Sequence, residues 1–141
     1  MKGDWKSVKD IPNIQREITK KKETTLHIAA AANKEDFVKN LVKRMSSNEL
    51  EVVNTAGNTA LTYAAATGNV NIAEAMLEKN RDLPNMGCVV KPLFMAALLG
   101  HSQMVDHLSR LTWTTQWDTA EQVELFVTYA SIGMYGKQKL L

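Results

Sequence analysis

The chain has 141 residues, of which 45% are hydrophobic and 23% are charged. This length suits one domain, and the hydrophobic content allows a packed core and argues against wholesale disorder. The formal net charge of +2 is too small to indicate nucleic-acid binding, and the single cysteine, Cys88, excludes an intramolecular disulfide framework.

A nine-residue segment recurs along the chain at nearly constant spacing. In chain order its copies are TLHIAAAAN at 25–33, ALTYAAATG at 60–68, PLFMAALLG at 92–100 and LFVTYASIG at 125–133. The spacings are 35, 32 and 33 residues between the corresponding alanines, which are Ala30, Ala65, Ala97 and Ala130. This spacing indicates an internal repeat.

Each copy predicts a helix, because alanine has the highest helix propensity. Each also ends at a residue that tolerates the left-handed conformation closing a helix, namely Asn33, Gly68, Gly100 or Gly133. In the first three units a second helix is predicted by apolar residues at helical spacing: Phe37, Val38, Leu41, Val42 and Met45; Ile72, Ala73, Met76 and Leu77; Met104, Val105 and Leu108. Turn-rich segments at 54–58 and 83–87 separate the units.

These units resemble ankyrin repeats, a family whose unit of ~33 residues carries a T-P-L-H-x-A signature. TTLHIAA at 24–30 matches all of it except the proline, KPLFMAA at 91–97 keeps the proline, and TALTYAA at 59–65 keeps Thr and Leu. The resemblance covers roughly residues 19–133. It implies an all-α solenoid of stacked helix-turn-helix units with projecting hairpin loops.

The repeat register divides the chain into five units. Residues 1–18 predict a partial repeat with only its second helix, and residues 119–141 predict a degenerate, truncated repeat. Complete repeats are expected at 19–53, 54–85 and 86–118. Because repeat arrays need polar capping units, we expect uncapped ends that permit self-association. The residues expected to be exposed there are Trp5, Val8, Trp113 and Trp117.

His27 is the first candidate for chemistry, since histidine serves as a catalytic base and as a metal ligand. The resemblance implies a structural role instead: Thr24 caps the first helix and contacts the imidazole, which also holds the neighbouring loop. His101 and His107 lie two repeats away: His101 is expected to be a capping or surface residue, and His107 is expected at the surface. Cys88 has no CxxC partner. Phosphate-binding glycine motifs are absent. We therefore predict a non-enzymatic protein with no metal and no cofactor.

The run Lys20-Lys21-Lys22 is the sharpest charge feature, and the resemblance places it at a projecting loop tip. It is either a solvated tip or a site for an acidic partner or an anionic membrane surface. Its three lysines fall short of the about four to eight expected of a lipid-binding cluster. No aromatic residues interleave with them, which argues against nucleic acid as a partner.

Ankyrin arrays usually bind proteins through a concave face built from hairpin tips and first helices. Leu98 and Leu99 stand out on this face: they either pack against the next repeat or form an apolar anchor in a recognition groove. We expect a protein partner that presents acidic residues to the lysine run and an apolar side chain to the leucines. The predicted contact residues are Lys20, Lys21, Glu23, Ala31, Ala32, Thr55, Ala56, Asn58, Ala66, Thr67, Cys88, Val90, Leu98 and Leu99.

Three segments, at 27–45, 78–84 and 92–108, look more narrowly like plant ankyrin proteins that carry a C-terminal membrane-spanning (PGG) domain. Several of those proteins are linked to defence and stress signalling. No stretch here reaches the ~18 consecutive apolar residues of a membrane helix, and the first residues lack the apolar core of a secretory signal. We expect a cytoplasmic interaction module. The alternative is the cytosolic domain of a membrane-anchored signalling protein, at the cytosolic face of a membrane.

Overall fold

The computed structural model describes residues 18–86, 90–113 and 116–133. The α-helices in these ranges are α1 (Thr25–Ala31), α2 (Glu35–Arg44), α3 (Ala60–Thr67), α4 (Val70–Lys79), α5 (Pro92–Leu98), α6 (Ser102–Ser109) and α7 (Thr119–Ser131). Two short 3-10 turns, Asn48–Glu51 and Leu83–Asn85, follow α2 and α4. The predicted all-α architecture is confirmed. The partial repeat predicted at 1–18 lies outside the described residues except for Ile18, as does the 134–141 part of the last unit.

The helices form two layers of a solenoid. The first helices stack in the order α1, α3, α5 and α7, and the second helices stack in the order α2, α4 and α6. In the first three units, the first helix also packs against the second helix of its own unit, in the pairs α1–α2, α3–α4 and α5–α6. The core therefore lies between the layers and between successive units, as in repeat proteins whose units contact only their neighbours.

The tight turns that end the first helices have a left-handed backbone. The φ angles there are +60° at Asn33, +75° at Gly68, +77° at Gly100 and +82° at Gly133. Glycine enters this region without steric cost, and asparagine tolerates it better than most residues. The predicted turn positions are thus confirmed in all four copies.

Alanines line the contacts between the stacked first helices. Six of them are fully buried: Ala29, Ala30, Ala64, Ala65, Ala96 and Ala97. Their small side chains allow neighbouring helices to approach closely at native packing density. The predicted apolar faces of α2, α4 and α6 are buried too, and burial of each large aliphatic side chain contributes about 1.5–3 kcal/mol relative to exposure.

The C-terminal end of the array differs from the expectation at one tryptophan. Trp113 is 52% exposed, as expected, but Trp117 is only 8% exposed, so that part of the prediction was wrong. Trp117 belongs to the same buried core as Leu125 and Tyr129 of α7. Trp5 and Val8 lie outside the described residues. None of the described helices is long and apolar enough to cross a membrane.

Candidate protein-interaction surface

The lysine run occupies a tight turn at the first loop tip. The amide of Lys22 donates to the carbonyl of Thr19 (2.9 Å), and the amide of Ile18 donates to the carbonyl of Glu23 (2.7 Å). Lys22 has a left-handed backbone with φ +60°. Lys20, Lys21 and Lys22 are all exposed. The turn therefore displays three cationic side chains together.

The first and second loop tips are joined through their backbones. The amide of Thr55 donates to the carbonyl of Lys21 at 2.8 Å. Within the second loop, Asn54 Oδ1 accepts from the amides of Ala56 and Asn58, at 3.0 Å each. Such a side-chain-to-backbone turn fixes the loop. Thr55 and Ala56 remain exposed and available for contact.

Glu23, which the sequence assigned to the partner surface, is held within the chain. The Tyr63 hydroxyl donates to Glu23 Oε2 at 2.5 Å, and Thr19 Oγ1 donates to Glu23 Oε1 at 3.2 Å. Asn54 Nδ2 in turn donates to the Tyr63 oxygen at 2.7 Å. The Tyr63 hydrogen bond is the main cause that lowers the pKa of Glu23, and burial is the main cause that raises the pKa of Tyr63 to about 12. This network braces the first tip against the second unit.

His27 is a structural residue, as predicted. The Thr24 amide donates to His27 Nδ1 (3.2 Å), while the His27 amide donates to Thr24 Oγ1 (3.4 Å), a reciprocal helix cap. Because Nδ1 accepts, the proton of the neutral ring lies on Nε2, which donates to the carbonyl of Asn58 (2.9 Å). The side chain is 1% exposed and meets the Tyr63 ring edge-on at 5.5 Å. Burial lowers the pKa of His27, which favours this neutral form.

The predicted contact positions at the ends of the first helices are accessible. Leu98 is 53% exposed and Leu99 is 50% exposed, so about half of each side chain is accessible to a partner. The corresponding residues of α1, Ala31 and Ala32, are exposed, and those of α3, Ala66 and Thr67, are partly exposed. Because the same positions recur in stacked helices, the row formed by Ala31, Ala32, Ala66, Thr67, Leu98 and Leu99 runs across the array; we call it the first-helix row.

Two of the remaining predicted contacts, Asn58 and Val90, are only partly accessible. Asn58 is half-buried and its carbonyl is engaged by His27. Val90 is half-buried in the segment before α5. Cys88 lies outside the described residues.

The other two histidines make contacts between repeats that the sequence did not predict. His101 Nε2 lies 2.9 Å from the carbonyl oxygen of Ala66, and its ring covers Gly68, where an added Cβ would lie 2.6 Å from His101 Nδ1. His107 Nε2 pairs with the carboxylate of Glu74. Throughout the described ranges no three His, Cys, Asp or Glu side chains cluster in a way that could hold a metal ion.

The second-helix layer carries a groove of about 520 Å³ between α2 and α4. Lys79 crosses it and donates from Nζ to the carbonyls of Val42 (2.8 Å) and Met45 (2.7 Å) at the C-terminal end of α2. Lys39 pairs with Glu35 at 3.0 Å. Lys79 thus caps the end of α2, and Lys39 forms an ion pair within α2. Because both lysines are engaged within the protein, we place the candidate surface on the first-helix layer.

Comparison with known proteins defines the class. The family model described as "Ankyrin repeats (3 copies)" matches residues 8–86 and 26–116, and the chain belongs to the ankyrin-repeat family. Ankyrin repeats generally mediate protein–protein interaction. No curated protein matches the chain.

Among solved structures, a chain in the crystal structure of the yeast ribosomal protein Rps3 in complex with its chaperone Yar1 is similar. The TM-score is 0.63 with 21% sequence identity, over 74% of this chain and 82% of that chain. At this identity the likeness concerns the fold alone.

Proposed function

We propose that this protein is an interaction module that holds a protein partner against the first-helix row and the two joined loop tips. The observation that carries the proposal is the half-exposure of the adjacent Leu98 and Leu99. Exposure of two neighbouring leucines to water is unfavourable. Full burial of each side chain under a partner contributes about 1.5–3 kcal/mol to the free energy of binding. Apolar anchors of this kind supply most of the energy in protein interfaces.

The uneven distribution of charge along this surface would fix the orientation of a bound partner. Lys20, Lys21 and Lys22 are exposed at the first tip, whereas the leucines lie two units away on α5. A partner segment that is acidic at one end and apolar at the other fits both. Glu23 and Asn58 support the loops in this arrangement rather than touch the partner, since both are engaged within the chain.

The test begins with a partner isolated by cross-linking capture, whose affinity is then measured with purified components. Leu99→Asp is expected to weaken binding by about tenfold or more, because it places a charge where an apolar group is buried. Lys21→Glu is expected to weaken binding and to reduce its salt dependence. The matched control is Lys43→Glu, an exposed lysine on the other layer. Unchanged affinity for both Leu99→Asp and Lys21→Glu shows that the surface is wrongly placed.

A second proposal concerns the setting of the module. The resemblance of segments 27–45, 78–84 and 92–108 to plant ankyrin proteins with a membrane-spanning domain supports a role in defence or stress signalling at the cytosolic face of a membrane. The sequence encoded beyond residue 141 tests this cheaply. A run of about twenty apolar residues there supports a membrane anchor. A stop codon directly after residue 141, together with recovery of the protein in the cytosolic fraction, counts against an anchor.

We also propose that the array associates with itself at high concentration. Val123, Phe126 and Val127 are 55%, 40% and 56% exposed on one face of α7, at helical spacing. Phe126 occupies the position of Leu93, which is fully buried in the unit before. Light scattering is expected to show concentration-dependent mass that Phe126→Ser reduces. A monomer at all concentrations contradicts this proposal.

A further inference from the structure

A small pocket lies between the start of the third unit and the last helix. Its volume is about 240 Å³, and it is lined by Val90, Lys91, Phe94, Trp117, Glu121 and Glu124. Two aromatic residues and two carboxylates thus meet in one concavity. None of these side chains except Val90 belongs to the surface predicted from the sequence.

The repeat register explains why a pocket forms here. Phe94 occupies in the third unit the position that His27 occupies in the first. His27 is buried and tied by Nε2 to the carbonyl of Asn58 in the following loop. A phenylalanine ring has no hydrogen-bonding atom, so it cannot draw the following segment onto itself in this way. Phe94 stays partly exposed, facing the same cavity as the largely buried Trp117.

The carboxylates of this pocket come from the first turns of α7. Glu121 is fixed by the reciprocal helix cap with Asp118: its Oε2 accepts from the Asp118 amide (3.0 Å) while its own amide donates to Asp118 Oδ1 (2.8 Å). Glu124 lies three residues later, on the same side of the helix, and is exposed. Lys91 in the opposite wall offsets part of this negative charge and leaves one carboxylate in excess.

We propose that this pocket receives an arginine side chain of a protein partner. A guanidinium group is weakly hydrated, stacks on aromatic faces, and pairs with carboxylates through two donors at once. The volume of about 240 Å³ suits one long side chain and lies below the roughly 300–1,000 Å³ of typical small-molecule sites. This inference rests on the proposed interaction function. It adds a contact with a basic side chain of the partner, at the far end of the array from the lysine run.

The experiment uses the whole chain, isotope-labelled for NMR, and two blocked tripeptides, Gly-Arg-Gly and Gly-citrulline-Gly. Citrulline keeps the shape of arginine but carries no charge. The arginine peptide is expected to shift the indole N–H resonance of Trp117 and the amide of Glu124, with weak, saturable binding. The citrulline peptide is expected to leave both resonances in place.

Variants separate the pocket from general charge attraction. Glu124→Gln is expected to weaken binding of the arginine peptide by about threefold, as is usual for an exposed charge pair, and Phe94→Leu to weaken it similarly by removing the aromatic face. Glu78→Gln, an exposed carboxylate on α4, is the matched control and leaves binding unchanged. Equal shifts with both peptides, or binding indifferent to Glu124→Gln and Phe94→Leu, overturn the proposal. Because this titration detects the pocket alone, its failure leaves the Leu99→Asp test of the first-helix row unaffected.

Discussion

The Nε2 atom of His27 lies 2.9 Å from the carbonyl oxygen of Asn58, in the loop that precedes α3. The same ring caps its own helix through Thr24. One buried side chain therefore fixes both the start of α1 and the position of the following loop. The stability of the array at this junction depends on both bonds.

Replacement of His27 by alanine is expected to destabilise the protein by about 2–4 kcal/mol, because it opens a cavity and leaves the Asn58 carbonyl without its donor. Urea unfolding followed by circular dichroism measures this loss. His107→Ala is the control: its partner Glu74 is partly exposed, and we expect a loss below about 1 kcal/mol. A His27→Ala protein of normal stability that no longer binds a partner contradicts the structural assignment.

The pH dependence of stability is expected to reveal the same residue. Burial lowers the pKa of His27 in the folded state, so the unfolded chain binds the proton more readily. The free energy of unfolding therefore rises with pH through the window below the unfolded histidine pKa of about 6.5, and it falls on acidification. Urea titrations at about pH 8 and about pH 5.5 are expected to show a smaller difference for His27→Gln than for the wild type. If the free energy of unfolding changes equally between the two pH values in the wild type and in His27→Gln, protonation of His27 is not coupled to folding.

The fold was predictable because its signal is local. Alanine-rich segments, the apolar faces of the second helices and the residues of the left-handed turns recur every unit, so the register alone placed the helices. The contact of His27 with its neighbouring loop followed from the same signature. The sequence did not reveal contacts whose partners are brought together by the stacking of units. These are the hydrogen bond from Tyr63 to Glu23, the packing of the His101 ring over Gly68, and the hydrogen bond from Lys79 to the end of α2.

The candidate surface was predictable only in part, for the same reason. Positions that vary in the family pattern predicted that Leu98 and Leu99 lie on one face. Only the exposed fractions of their side chains in the structure show that they remain accessible to a partner. The pocket at Phe94 and Trp117 depends on a missing hydrogen bond in one unit and on a segment about 23 residues further along. No spacing rule joins those two positions.

Two buried threonines, one in each of the first two units, are expected to respond in opposite ways to the same substitution. Thr24 Oγ1 caps α1 and touches the His27 ring at 2.9 Å, so Thr24→Val is expected to cost about 1–2 kcal/mol. Thr62, which replaces histidine in the second unit, has a buried hydroxyl with no hydrogen-bond partner among the described residues. Thr62→Val removes that unpaired group at constant shape and is expected to be neutral or stabilising by up to about 1 kcal/mol. Thermal unfolding of the two variants compares them directly. A marked loss for Thr62→Val shows that its hydroxyl has a partner in solution.

Two turn glycines provide a test of the contact between the second and third units. Both Gly68 and Gly100 have a left-handed backbone, with φ of +75° and +77°, so alanine costs about 1–2 kcal/mol at either position. Only at Gly68 does the new Cβ meet a neighbour, His101 Nδ1 at 2.6 Å, since nothing lies within 4 Å at Gly100. Gly68→Ala is therefore expected to be the more destabilising change in urea unfolding, because the ring must move and its bond to the Ala66 carbonyl is lost. In a His101→Ala background the excess cost of Gly68→Ala over Gly100→Ala is expected to disappear, as a double-mutant cycle requires when one contact is its cause. An excess that persists without the imidazole places the strain in the backbone of the turn itself.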